Sequence, residues 1–209
     1  MANFVYFIGD PSTKEVVLVD PAWQIDTLLK IAQEEGLKIS GALITHGHFD
    51  HCNGIEELLT HLNIPIYANK EEVAFVRSLG KQKSIFGSFP EENLKRVSSG
   101  DKINVGAVEI TFIHTPGHTP GSQCFLIKNN LVSGDTLFIR GCGRSDLAGG
   151  NPKDLYESLT QKIYKLPDQT ILFPGHNYAE KPSSDLKEEK EKNPYLLCSS
   201  LETFLNLVQ

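Results

Sequence analysis

The chain has 209 residues, 40% hydrophobic and 22% charged, enough for one sizeable core and read as a single domain over residues 1–209. A net charge of −6 and a pI near 5.6 argue against an electrostatic nucleic-acid footprint. The four cysteines (Cys52, Cys124, Cys142, Cys198) are scattered without a C-x-x-C pair, the first eight residues lack the basic start of a signal peptide, and nothing approaches a membrane span. A soluble cytoplasmic protein is expected.

Residues 4–8 and 16–19 read as a hairpin turning through Asp10-Pro11-Ser12-Thr13-Lys14. Ile25, Leu28, Leu29 and Ala32 then mark one face of a helix that stops at Gly36. A strand over 41–45 runs into Thr45-His46-Gly47-His48-Phe49-Asp50-His51-Cys52-Asn53-Gly54. A helix near 55–62, a short strand at 65–68 and a helix over 70–79 follow. Residues 81–92 are the least regular stretch and read as a loop flanking the site. Residues 94–137 are mostly strands. Asn151-Pro152 opens a helix over 153–166, with Leu155, Leu159, Ile163 and Leu166 at helical spacing. The run 187–192 reads as a solvated helix face with i,i+4 pairs, and 196–208 as a last apolar helix.

The segment after the strand at 41–45 carries the chemistry. Three imidazoles and a carboxylate stand within six positions there, ligand types that suit zinc, iron or manganese. A polar loop that merely happened to hold these histidines would repel itself when protonated and would be costly to bury without a cation. Three further apolar runs, 108–113, 130–133 and 170–173, also end in loops with ligand residues. These are His114-Thr115-Pro116-Gly117-His118, Gly134-Asp135 and Pro174-Gly175-His176-Asn177-Tyr178. Four strands delivering such residues from one end make a single site, rigid behind and adaptable in front.

The order H-x-H-x-D-H, a distal His in a PGH turn, a GD loop and a terminal GH resembles the metallo-β-lactamase superfamily over about residues 3–194. The resemblance implies an α/β fold, a four-layer αββα sandwich. It also implies one metal on His46, His48 and His118, a second on Asp50, His51 and His176, and Asp135 bridging them; each position holds the expected residue type. Two divalent ions are then expected, zinc first, with iron or manganese as alternatives. Sharing Asp135 and a bridging water, they would supply hydroxide at neutral pH, with Asp50 orienting it, so Asp50 and Asp135 are the candidate catalytic residues.

Within the superfamily, Thr136-Leu137-Phe138, Gly141-Cys142-Gly143-Arg144 and Gly175-His176-Asn177-Tyr178 are similar to glyoxalase II, hydroxyacylglutathione hydrolase. That implies a small-molecule thioester such as S-2-hydroxyacylglutathione, with Tyr178 near the substrate. Arg140 and Arg144 are candidates to bind a substrate carboxylate; a loop-fixing salt bridge is the alternative for each. Full-length glyoxalase II carries a longer helical C-terminal domain, whereas this chain ends soon after 181–192, which leaves another thioester open. A rival resemblance, through residues 139–146 and Glu188 with Asn193-Pro194, is to persulfide dioxygenases, and implies one iron on His46, His118 and Asp135. A lactone or ester hydrolase is a further alternative. So is a non-catalytic metal-binding module, against which the complete ligand set argues. Asp20 is expected to support the site by hydrogen bonding, His114 to be packed behind it and His61 to face solvent. Trp23 reads as packing or cleft lining, and Cys52 and Cys142 as thiols without a role. The oligomeric state is not legible.

Overall fold

The computed structural model describes residues 2–80 and 90–208. β1 (Tyr6–Asp10) and β2 (Glu15–Val19) form the expected antiparallel hairpin. α1 (Ile25–Glu34) leads to β3 (Lys38–Leu43), and the two short helices α2 (Phe49–Cys52) and α3 (Ile55–His61) lead to β4 (Ile66–Asn69). α4 (Lys70–Ser78) precedes β5 (Leu94–Val97). These strands make a five-stranded sheet in the order β1-β2-β3-β4-β5, parallel from β2 onward.

The second half supplies β6 (Lys102–Val105), β7 (Val108–His114), β8 (Gln123–Ile127) and β9 (Asn130–Gly134), followed by the small hairpin β10 (Leu137–Phe138) and β11 (Gly141–Cys142). After α5 (Pro152–Ser158) come β12 (Ile171–Pro174), β13 (Ser184–Asp185), α6 (Leu186–Lys192) and α7 (Leu201–Leu207). The second sheet runs β13-β12-β9-β8-β7-β6, antiparallel except for the parallel pair β12–β9.

Side-chain alternation explains the layers. In β2, Val17 and Val19 face the second sheet while Leu18 faces α1 and α3; in β9, Val132 faces the first sheet while Leu131 packs under α5. Strands covered on both faces must be apolar at consecutive positions, which is why these runs show no polar alternation. The middle core holds Val17, Val19 and Leu43 against Ile110, Phe112, Phe125 and Val132. Phe112 and Phe125 meet edge to face, ring centroids 5.4 Å apart. Helices cover each outer face, giving the αββα order.

Several boundaries differ from the sequence reading. The helix expected over 153–166 is α-helical to Ser158 and then opens into a π-helical turn, Leu159–Ile163, that still buries Leu155, Leu159 and Ile163. The last helix begins at Leu201 rather than 196, because Ser200 accepts from Thr203 N at 3.2 Å and caps it there. In α6 the exposed ladder is only partly right. Glu188 pairs with Lys192, but Glu189 is fully buried. Residues 81–89 of the expected site-flanking loop lie outside the described residues. No helix among the described residues is long and apolar enough to cross a membrane.

Candidate metal centre

β3, β7, β9 and β12 all end on one rim of the sandwich, and the loops leaving them bring the seven predicted ligand residues together. His46 follows β3, His48 is the N-cap of α2, and Asp50 and His51 lie inside α2. His118 sits in the turn after β7, Asp135 directly after β9 and His176 after β12. Two glycines permit this crowding. Gly134 has φ +50, and a Cβ on it would lie 2.5 Å from Thr45; a Cβ on Gly175 would lie 2.5 Å from Asp135 Oδ1.

The cluster resolves into two triads around one carboxylate. His118 Nε2 is 3.2 Å from His46 Nε2 and 2.9 Å from His48 Nδ1. On the other side His51 Nε2 is 3.2 Å from His176 Nε2, which is 3.5 Å from Asp50 Oδ2. Asp135 stands between, its Oδ2 3.6 Å from His118 Nε2 and 3.2 Å from His176 Nε2, its Oδ1 3.4 Å from His51 Nε2. Both triads, and the set His46, His51 and Asp135, could hold a metal ion.

Hydrogen bonds behind the rings fix which nitrogens face inward. His118 Nδ1 donates to the Arg144 carbonyl at 2.7 Å, and a carbonyl can only accept. Thr45 Oγ1 donates to Asp20 Oδ2 at 2.6 Å, so it accepts from His46 Nδ1 at 3.0 Å. His51 Nδ1 donates to the same Asp20 oxygen at 2.8 Å. The facing Nε2 atoms of neutral His46 and His118 therefore both present lone pairs, a contact that repels unless a cation lies between them. Their separation suits it, since nitrogens about 2.0–2.1 Å from a tetrahedral zinc stand about 3.3 Å apart. Asp135 Oδ1 is buried without a hydrogen-bond partner, as a reserved ligand atom would be.

The electrostatics agree for the first triad and for Asp135. Burial, with the neighbouring imidazoles, holds His46 well below the usual histidine range, and burial takes His48 down to about 4. Burial also lowers His118, although Asp135 opposes it. Burial works against protonation of His51 too, but the carboxylates of Asp20, Asp135 and Asp50 outweigh it and push it up to about 9. For Asp135, burial would raise the carboxyl; the hydrogen bond to His176 and the surrounding imidazoles overcome that and hold it below its usual range. Neutral imidazoles and ionised carboxylates are the forms that bind cations, so His46, His48, His118 and Asp135 stand ready, whereas His51 must give up its proton to bind one.

The other predicted residues fall into distinct places. The Tyr178 ring stacks on His176, 4.7 Å between centroids and 2° from parallel, and is 65% exposed at the mouth of the site. Arg140 turns away, onto Glu188 and Glu189 of α6. Arg144 forks onto Asp146, with bonds of 2.9 and 2.7 Å. Asp20 supports Thr45 and His51 as expected, and His114 Nε2 bonds the Pro120 carbonyl at 2.8 Å, behind the turn that bears His118. His61 is exposed, as expected, 3.9 Å from Asp26. Trp23 meets Phe49 edge to face and lines a groove of about 680 Å³ along α1.

Two residues have no counterpart in the sequence reading. Asn3 Nδ2 donates to the Asp50 carbonyl at 2.7 Å and to Asp50 Oδ2 at 3.1 Å, while Phe4 N bonds the Gly175 carbonyl at 2.9 Å. Glu72 in α4 bonds both loops that carry His46, His48 and His118. An Asn ahead of a strand and a Glu in a first helical turn are commonplace, so neither carries a local signal.

Residues 1–176 match the family model described as the metallo-β-lactamase superfamily, and the chain belongs to that superfamily. It is 32% identical over 205 residues to the probable polyketide biosynthesis zinc-dependent hydrolase BaeB of Bacillus velezensis, covering 98% of this chain and 86% of that one. It is 34% identical over 207 residues to the mitochondrial persulfide dioxygenase ETHE1 of Mus musculus, covering 96% and 74%. Among solved structures, the di-iron-bound form of TTHA1623 superposes with a TM-score of 0.75 at 30% identity, over 92% of this chain and 94% of that one. The His/Asp cluster is accordingly a binding site for divalent metal in a metalloenzyme fold.

Proposed function

We propose that the chain is a binuclear metal-dependent hydrolase of small-molecule thioesters. One observation carries this reading: two complete triads face each other across Asp135, the first His46, His48 and His118, the second Asp50, His51 and His176. The di-iron form of TTHA1623 and the zinc-dependent naming of BaeB support two ions and hydrolysis. When bound, divalent ions polarise a carbonyl and acidify water toward neutral pH.

The chain's own residues do the rest. Asp135 is placed to serve both triads. Asp50, steered by Asn3, is placed to orient the attacking water and take its proton. Asp20 and Thr45 hold His46 and His51 in the tautomers that aim Nε2 inward. Tyr178 presents a phenol at the mouth, where it can donate to a substrate carbonyl or amide. A thioester suits this arrangement because its thiolate leaves with little help from an acid, and among the described residues the cluster offers no Ser or Cys nucleophile. S-2-Hydroxyacylglutathione is the first substrate to test.

The ETHE1 relative supports a second reading, a one-iron persulfide dioxygenase on His46, His118 and Asp135. Elemental analysis of protein purified without added metal separates the two. About two ions per chain, with thioester cleavage abolished by chelation and restored by zinc, is the expected result. Close to one iron per chain, with oxygen uptake on glutathione persulfide, would overturn it.

A further inference from the structure

Glu72 is a carboxylate, 1% exposed, that no step above uses. It lies in the first turn of α4, whose start is set by Asn69 accepting from Glu71 N at 2.9 Å. Its Oε1 accepts from Gly47 N at 2.6 Å, the amide between His46 and His48. Its Oε2 accepts from Thr119 Oγ1 at 2.7 Å and from Gly121 N at 2.8 Å, in the turn just after His118. That turn is pressed onto the helix backbone, since a Cβ on Gly121 would lie 2.1 Å from Glu72 N. The two loops leave different sheets, one from β3 and one from β7, so nothing in either sheet's register aligns them. Burial pushes the Glu72 carboxyl up despite its three bonds. The second triad is held by other groups, Asp20 on His51 and Asn3 on Asp50.

We infer that Glu72 is a positioning residue for one metal of the pair, locking His46, His48 and His118 into register while leaving the Asp50–His51–His176 triad to its own supports. The inference rests on the metal centre and is independent of the substrate. Glu72→Gln tests it with little change of shape. An amide has one acceptor oxygen and adds N–H donors, so whichever way it turns it faces a donor to the N–H of Gly47 or of Gly121 and loses that bond.

The readout is Co(II) or Zn(II) affinity of metal-stripped protein, followed by cobalt absorbance and by competition with a chromophoric chelator. In a His176→Ala background the remaining ion depends on the first triad, and Glu72→Gln should weaken it about 10- to 100-fold, the range for groups that orient ligands. In a His118→Ala background the remaining ion depends on the second triad, and the change should stay below about twofold, as for independent sites. Thr119→Val, which deletes one of the three bonds, should give a smaller loss in the first background only. Equal weakening in both backgrounds, or none in either, would overturn the inference. A wild-type chain that takes up one ion, still loosened by Glu72→Gln, would sink the binuclear reading and leave the clamp standing. Circular dichroism of the metal-free variants identifies a failure to fold.

Discussion

Arg140→Ala distinguishes between two roles for the same guanidinium. Arg140 Nη2 bonds Glu188 Oε1 at 2.6 Å, and Nη1 bonds Glu189 Oε1. Glu189 is fully buried and also accepts from Arg140 N at 2.8 Å, Ser184 Oγ at 2.7 Å and Asn193 Nδ2 at 3.1 Å. Removing one partner of a buried ion pair costs about 3–5 kcal/mol, chiefly because the other charge is stranded. Two features reduce that here. The Arg140 side chain is 35% exposed, so water already screens part of the interaction, and three donors remain on Glu189 after the substitution. A loss of about 2–3 kcal/mol is therefore expected, with the half-exposed Glu188 arm adding little. In a chain of this size each kcal/mol moves the thermal midpoint by about 2–4 °C, so the drop should be about 4–12 °C. A guanidinium that held a substrate carboxylate would instead raise KM and leave the melt alone. Calorimetry of the metal-free variant, paired with steady-state kinetics of the loaded one, reads both. A midpoint within about 1 °C of wild type together with a raised KM would refute the structural role.

Asp135→Ala should abolish turnover and reduce bound metal, because this carboxylate lies between both triads; normal metal content by elemental analysis would remove it from the ligand set. His176→Ala should cripple thioester hydrolysis and cut the stoichiometry from about two ions to about one, whereas a one-iron dioxygenase would lose much less. Gly175→Ala drives a Cβ to 2.5 Å from Asp135 Oδ1 and 2.9 Å from Gly134 C, so the carboxylate must move; metal affinity should fall about tenfold or more, as when a ligand loses its orientation. Unchanged cobalt binding in Gly175→Ala would show that the loop yields instead.

Much of this architecture was legible because consecutive apolar positions mark strands covered on both faces. Val16–Val19 and the run before His46 announced central strands, and the cluster at 46–51 could be placed at a strand end from local pattern alone. The His/Asp cluster was legible for a different reason. Imidazole and carboxylate at close spacing have few uses besides holding a cation. What stayed hidden was set by contacts between distant segments. Glu189 sits in a run of charges that any periodicity reading assigns to solvent, and only the approach of Arg140 and Asn193 makes it a buried hub. Asn3 and Glu72 act on residues 25 to 49 positions away, at distances no local pattern encodes. The last helix starts late because Ser200 caps it at Leu201, and the helix after Asn151 opens into a π-helical turn at Leu159, which the spacing of its apolar residues does not reveal.

The dispersal of the metal centre along the chain also constrains how the protein is made. The seven side chains of the cluster come from loops after β3, β7, β9 and β12, and Phe4 and Asn3 stitch the opening residues to Gly175 and Asp50. β12 joins the sheet parallel to β9 only after a long crossover through α5, and pairings of that kind cost chain entropy before they return any contact energy. A growing polypeptide therefore carries its histidine-rich segment for most of its synthesis with no finished cup to receive an ion. The full set of seven side chains meets only once the pairing of β12 with β9 has brought His176 to the rest.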